Sequence, residues 1–189
     1  MKKAVFIDRD GTLIKDIPYN ANPSLIELEY YAVDMLQLLK KKNYLLILVS
    51  NQAGIARGYF AEEDLFMMHE ALQQKLLDGN VQLDAIYYCP HLPGGSNKKY
   101  AIDCDCRKPK PGLIYKAAEH FNIYLNNSWM IGDILNDVEA GNTAGCKTIL
   151  INNGNETEWI INEQRKPCYE VKDLEQATEI ILKHELEAV

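Results

Sequence analysis

The apolar run Ala4-Val5-Phe6-Ile7, followed at once by Asp8-Arg9-Asp10-Gly11-Thr12, constrains this chain more than any other stretch. A short apolar segment that ends in carboxylates and a glycine reads as a buried strand opening into a tight loop. In an open parallel sheet ligands bind beyond the carboxyl ends of the strands, which places Asp8 and Asp10 in that crevice. If strand geometry persists past Ile7, the Asp-x-Asp alternation sends both side chains the same way. Two acids side by side are costly unless a cation or a shared proton relieves them. Such a pair suits a metal-assisted carboxylate nucleophile with a second carboxyl as general acid/base. An isolated Asp-x-Asp is equally at home in a solvated turn, so the rest of the chain has to decide.

Downstream, strands and helices alternate. Tyr31 to Lys42 has Val33, Leu36 and Leu39 at helical spacing, and Leu45 to Val49 is a continuous apolar run that reads as a second buried strand. Glu62 to Asp78 is the clearest helix, with Leu65, Met68, His69, Leu72 and Leu76 on one face. His69 on that stripe is expected to be packed and not a ligand. Asp84 to Cys89, Trp129 to Gly132, Thr148 to Ile151 and Cys168 to Val171 read as strands. Gly112 to His120, Asn136 to Ala144 and Leu174 to Leu186 read as helices. This order predicts a doubly wound α/β domain with a mostly parallel, Rossmann-like sheet, and one domain over residues 1–189. The stretch from Leu13 to Leu45 is too short for an inserted lid, so the expected cap is minimal and loops must wall the substrate.

Three further strand ends carry polar groups. Ser50, after the second strand, offers a hydroxyl and backbone amides to a phosphoryl oxygen. Lys108, in Arg107-Lys108-Pro109-Lys110-Pro111-Gly112 just before a helix, can neutralise charge gathered by aspartates and a phosphoryl group. Asp133, in Gly132-Asp133-Ile134-Leu135-Asn136-Asp137, is placed to complete a hard-cation site with Asp8, because Mg²⁺ prefers oxygen ligands. Asp137 is either a supporting carboxylate or a helix N-terminal charge.

A second constellation is Cys89-Pro90-His91 with Cys104-Asp105-Cys106. Three thiols and an imidazole bracketing one Gly/Pro-rich loop supply a Cys₃His set, the composition of closed structural zinc. The expected zinc loop is about residues 89–106, and the metal should shape the loop and do no chemistry. Cys146 and Cys168 have no such company and are expected in the core, and His120 and His184 carry no signal.

These four strand-end motifs in this order resemble the haloacid dehalogenase (HAD) superfamily, and the likeness spans nearly the whole chain. The resemblance implies Asp8 as nucleophile, Asp10 as acid/base, and Ser50 and Lys108 as the groups that hold the phosphoryl group. It implies Mg²⁺ bound by Asp8, the backbone carbonyl of Asp10, and Asp133. The zinc loop running into Arg107-Lys108-Pro109, with Asp-Arg-Asp-Gly-Thr and Ser50-Asn51-Gln52-Ala53-Gly54, is similar to one capless branch. That branch holds the D,D-heptose 1,7-bisphosphate 7-phosphatases and the histidinol-phosphate phosphatases. For the heptose enzymes, whose product feeds activated heptose for lipopolysaccharide, the resemblance implies a substrate site from Asp16, Ile17, Pro18, Tyr19, Asn51, Gln52 and Ala53. Arg107 would then recognise the second phosphate, and the long loop with Lys98 and Lys99 is expected to help wall the site. The departures are Ser50 in place of a frequent threonine and Ile134 in place of a frequent lysine.

Composition sets the rivals aside. A net charge of −7 and the absence of a basic, aromatic-interleaved run argue against a nucleic-acid module or an anionic membrane as partner. No apolar run approaches a membrane span, and Lys2-Lys3 is followed by too few apolar residues for a secretory segment. A cytoplasmic location follows, with the five cysteines not forming a disulfide framework; a monomer is expected, and the resemblance implies a phosphorylated sugar as its small-molecule partner. A phospho-accepting signalling domain would also use a strand-end aspartate, but Asp10 two residues on favours turnover.

Overall fold

The computed structural model describes residues 2–187. Six strands form one sheet in the order β3-β2-β1-β4-β5-β6, namely β1 (Lys3–Ile7), β2 (Tyr44–Asn51), β3 (Ala85–Cys89), β4 (Trp129–Gly132), β5 (Lys147–Ile151) and β6 (Tyr169–Val171). All five pairings are parallel. The helices are α1 (Ala32–Lys41), α2 (Ala53–Arg57), α3 (Glu62–Asp78), α4 (Gly112–Phe121), α5 (Leu135–Ala144) and α6 (Leu174–Glu187).

Strand side chains alternate between the two faces, and each face is covered by its own helices. Val5, Ile7, Leu46, Leu48, Trp129 and Ile131 pack with Met35, Leu36 and Leu39 of α1, Met68, Leu72 and Leu76 of α3, and Leu174, Ala177 and Ile181 of α6. Ala4, Phe6, Ile47, Val49 and Met130 point the other way, onto Leu113, Ile114 and Ala117 of α4 and Ala140 and Ala144 of α5. Burial on both faces explains why these strands read as unbroken apolar runs. The doubly wound expectation is met, and every strand is parallel.

The strand order reverses direction at β1, where β2 lies on one side and β4 on the other. Such a switch point opens a crevice at the carboxyl ends of the strands. Asp8 follows β1 and Asp133 follows β4, so both stand at its rim. Between β1 and β2 there is only a loop, a 3₁₀ turn at Pro23–Leu25 and α1, so no lid domain is inserted there. No described helix is long and apolar enough to cross a membrane.

Boundaries differ from the sequence reading in a few places. Ser50 and Asn51 stay in β2 because they pair with Tyr88 and Cys89 of β3. Asp84 lies just outside β3 and instead accepts from the Leu46 amide at 2.7 Å. Helix α2 was not anticipated, since one short turn carries no readable periodicity. Cys146 is buried, but Cys168 is exposed just ahead of β6, contrary to the core placement expected for it.

His69 is packed inside α3, 8% exposed. Burial first, then the Arg9 charge, pushes its pKa down to about 4. In the unfolded chain the ring titrates near about 6.5. Between these values only the unfolded chain takes up the proton, so stability falls as pH falls. From neutrality to about pH 5 this titration alone removes about 2 kcal/mol. Urea unfolding near neutrality and near pH ~5 should therefore show His69→Gln losing less stability on acidification than the wild type, by about that amount. The difference between the two chains isolates the imidazole from the active-site carboxylates. Equal pH dependence would contradict the assignment.

Candidate active site

The chain leaves strand geometry immediately after Ile7. The amides of Leu13 and Ile14 both donate to the Arg9 carbonyl, at 3.0 and 2.9 Å, and close a tight loop. Asp8 and Asp10 take different partners. The Asp8 carboxylate accepts from Lys108 Nζ at 2.5 Å. Asp10 turns to Arg9 Nη2 at 2.9 Å and to Gln52 Nε2 at 2.9 Å. Both aspartates nevertheless line one cleft, as the strand-end reading expected.

Gly11 takes a positive φ of 76° in this loop, a conformation open to glycine. A Cβ there would lie 2.2 Å from Asp133 Oδ2 and 2.4 Å from Asn155 Nδ2. The loop can thus approach the end of β4 only with glycine at this place.

Lys108 is 3% exposed, and its ammonium meets Asp8 Oδ1 at 2.5 Å, Asp137 Oδ1 at 2.6 Å and the Val49 carbonyl at 2.9 Å. Burial works against this ammonium, but Asp137 and Asp8 outweigh it and its pKa is raised. Its main chain is held too. Asn51 Nδ2 donates to the Lys108 carbonyl at 2.9 Å, and the Lys108 amide donates to Asn51 Oδ1 at 3.0 Å. Asp137 also accepts from the Ile134 amide at 3.3 Å, so it serves both as a supporting carboxylate and as a charge at the start of α5.

Carboxylate oxygens of Asp8, Asp133 and Asp137 lie within 4.8 Å of one another, all three residues buried. Asp133 accepts from Thr12 Oγ1 at 3.2 Å and from Asn155 Nδ2 at 2.7 Å. Burial, then the Asp137 charge, drives the Asp133 carboxyl up to about 7. Asp8 is likewise pushed well above the usual carboxylate range, chiefly by burial. One buried ammonium cannot balance three buried carboxylates, and an all-oxygen donor set with excess negative charge suits a hard divalent cation.

The cleft above these groups measures about 380 Å³ and brings Asp8, Asp10, Asp16, Pro18, Tyr19, Asn51, Gln52, Ala53, Arg107, Lys108 and Asp133 together. Ser50 lies just beneath the surface, 1% exposed, and accepts from Gln52 Nε2 at 2.7 Å. Ile17 is outside the lining, as are Lys98 and Lys99. Lys99 instead hydrogen-bonds Tyr100 at 2.7 Å and faces Glu62 at 3.8 Å. The expectation that these two lysines wall the cleft does not hold.

Sequence reasoning missed Arg9 and Asn155. Arg9 is 3% exposed and braces Asp10 and Gln52. Asn155 comes from the loop after β5, which Asn153 ties to the Gly11 carbonyl at 2.8 Å. The polar run Asn152-Asn153-Gly154-Asn155 beyond a fifth apolar strand was the available signal, by the same rule that singled out the other strand ends.

Beside the cleft, Cys89, His91, Cys104 and Cys106 close into one cluster. Cys106 Sγ lies 2.9 Å from Cys89 Sγ, 3.3 Å from Cys104 Sγ and 3.3 Å from His91 Nδ1. A tetrahedron of ligands about 2.3 Å from zinc has edges of about 3.7 Å, so this slightly contracted set fits such an ion. Hydrogen bonds first from Cys89 hold the Cys106 thiol down at about 5, the thiolate character that metal binding uses. Arg107 follows directly, and its Nη1 donates to the His91 carbonyl at 3.3 Å.

Comparison with known proteins agrees with this geometry. A HAD-hydrolase-like family model matches residues 105–177. The chain is 46% identical over 155 residues to the D-glycero-β-D-manno-heptose-1,7-bisphosphate 7-phosphatase of Pasteurella multocida, covering 82% of this chain and 84% of that one. It is 38% identical over 168 residues to the enzyme of the same name from Escherichia coli K12, covering 84% and 88%. The crystal structure of D,D-heptose 1,7-bisphosphate phosphatase from B. bronchiseptica, complexed with magnesium and phosphate, superposes with a TM-score of 0.79 at 26% identity, covering 96% of this chain and 99% of that one. A HAD-like phosphatase from Mesorhizobium loti gives a TM-score of 0.84 at 27% identity, covering 96% and 87%. With strand-end aspartates, a buried lysine and this degree of identity over most of its length, the chain belongs to the heptose-1,7-bisphosphate 7-phosphatase family of HAD-like hydrolases.

Proposed function

We propose that this chain is a Mg²⁺-dependent phosphomonoesterase that removes the 7-phosphate of D-glycero-β-D-manno-heptose 1,7-bisphosphate. The observation that carries the reading is the buried group of Asp8, Asp133 and Asp137 around Lys108 at the switch point of the sheet. The names of the relatives support the substrate and its anomer.

In this mechanism Asp8 attacks the phosphorus of the 7-phosphate while Asp10 gives a proton to the departing C7 oxygen. Water then attacks the phosphorus of phosphorylated Asp8 and passes a proton to Asp10, which frees inorganic phosphate and restores Asp8. Ser50 and Lys108 donate hydrogen bonds to the phosphoryl oxygens, where charge develops. Magnesium, held by Asp8, Asp133 and the main-chain carbonyl of Asp10, would supply charge neutralisation for the nucleophile and the phosphoryl group.

Substrate contacts come from Asp16, Pro18, Tyr19, Asn51 and Ala53 along the cleft. Partial burial and the nearby Asp10 charge raise the Asp16 carboxyl, which suits it to a sugar hydroxyl. Arg107 takes the 1-phosphate through a charge-assisted fork. Its anchor is the Cys89, His91, Cys104 and Cys106 cluster, which we assign to one structural zinc with no open coordination position.

Two outcomes test this. The kcat/KM for the heptose bisphosphate should exceed that for histidinol phosphate, and ³¹P NMR should find the phosphate at C1 retained. Arg107→Ala should cost about 2–4 kcal/mol in kcat/KM for the bisphosphate and much less for p-nitrophenyl phosphate. Equal losses, or a preference for histidinol phosphate, would overturn the assignment. Metal analysis of protein purified without added metal should find one zinc per chain, and Cys104→Ser should lower both the zinc content and the thermal midpoint while affecting KM at least as much as kcat. A zinc-free wild type with full activity would contradict the structural-metal reading.

A further inference from the structure

We infer that Gln52 is a positioning residue that sets Ser50 and Asp10 together, and that it does not read the substrate. The inference rests on the phosphatase reading above. Gln52 is 3% exposed at the head of the cleft. Its Oε1 accepts from Arg9 Nη2 at 3.0 Å. Its Nε2 donates to Asp10 Oδ2 at 2.9 Å and to Ser50 Oγ at 2.7 Å.

Chemistry fixes the orientation of this amide. A guanidinium only donates and a carboxylate only accepts. Turning the amide over would set its NH₂ against Arg9 and its oxygen against Asp10, two repulsive contacts in a buried place. In the orientation observed both amide hydrogens are committed, so none is left for a sugar hydroxyl or a phosphate. Its main chain is equally committed, because the Gln52 amide donates to the Cys89 carbonyl at 2.7 Å.

The consequence for Ser50 is directional. A serine hydroxyl has one hydrogen to give. With Gln52 donating to its oxygen, the Ser50 hydrogen is free for another acceptor, and the phosphoryl oxygen is the one that the reaction brings. The same Nε2 and the Arg9 guanidinium clasp Asp10, with Arg9 Nε at 3.0 and 3.1 Å from its two oxygens. One amide thus couples the hydroxyl that holds the phosphoryl group to the carboxyl that moves the proton.

The test compares Gln52→Met, similar in length but without the amide, and Gln52→Glu, similar in shape but an acceptor where a donor stood. Both are assayed on heptose bisphosphate and p-nitrophenyl phosphate, with thermal midpoints alongside. Gln52→Met should lower kcat about 100-fold on both substrates, the scale for losing a preorganised donor, with KM within about twofold. Gln52→Glu should lose at least as much. In a Ser50→Ala background the further loss from Gln52→Met should shrink, since part of its action passes through Ser50. A rise in KM confined to the bisphosphate with kcat intact would overturn the inference in favour of substrate contact. Unchanged kcat, or losses that multiply fully with Ser50→Ala, would also overturn it. If neither variant folds, Gln52 is a structural residue and the inference fails. A wild type inactive on both substrates would overturn the phosphatase reading first, whereas an active wild type with active Gln52 variants would overturn this inference alone.

Discussion

The contact between Lys108 and its two carboxylates, Asp8 and Asp137, sets the terms for the rest of the site. An ammonium buried to this degree is tolerable only with partners that offset its lost hydration. It donates to Asp8 and to the Val49 carbonyl and pairs as an ion with Asp137, three groups from different parts of the fold. Lys108 thereby ties β1, β2 and α5 together at the mouth of the sheet. Asp133 adds a further buried carboxylate for which no second buried ammonium stands in the group, and that imbalance is what a divalent cation would relieve.

Preorganisation continues outward from this contact through amide side chains. Asn51 grips the main chain of Lys108 on both sides of one residue, and Gln52 joins Arg9, Asp10 and Ser50. Asn155 holds Asp133 from a fifth strand end. None of the three amides carries charge, yet together they direct the donors and acceptors of charged neighbours. A site whose dipoles are already aimed needs little reorganisation when charge develops.

Much of this was legible in the chain because burial on both faces of a parallel sheet writes apolar runs, and each run ends in a visible change of residue type. Asp8, Ser50 and Asp133 were found that way, Lys108 from the basic segment just ahead of a helix, and the Cys/His set because its four members bracket a single loop. What was hidden depends on backbone turns and on three-dimensional neighbours. Asp10 finds Arg9 and Gln52 across a loop that closes on the Arg9 carbonyl, which alternation alone does not encode. Asn51 and Gln52 line the cleft as expected, and the hydrogen bonds their side chains also make, to Lys108 in one case and to Asp10, Ser50 and Arg9 in the other, were not legible in the sequence. Lys98 and Lys99 looked like wall residues from loop length, whereas Lys99 is drawn to Glu62 and Tyr100. Cys168 read as core because no other candidate metal ligand stood near it in the sequence, but it precedes a short edge strand with one side open.

The central claim is that Asp8, held between Lys108 and the cation site, carries the phosphoryl group during turnover. Rapid acid quench of the enzyme turning over heptose bisphosphate, followed by borohydride reduction and peptide mapping, tests it directly. The account predicts an acyl phosphate whose reduction converts the Asp8 side chain to an alcohol, with Asp10, Asp133 and Asp137 unmodified. Phosphate released with no trapped adduct at any quench time, or an adduct on a different carboxylate, would contradict it.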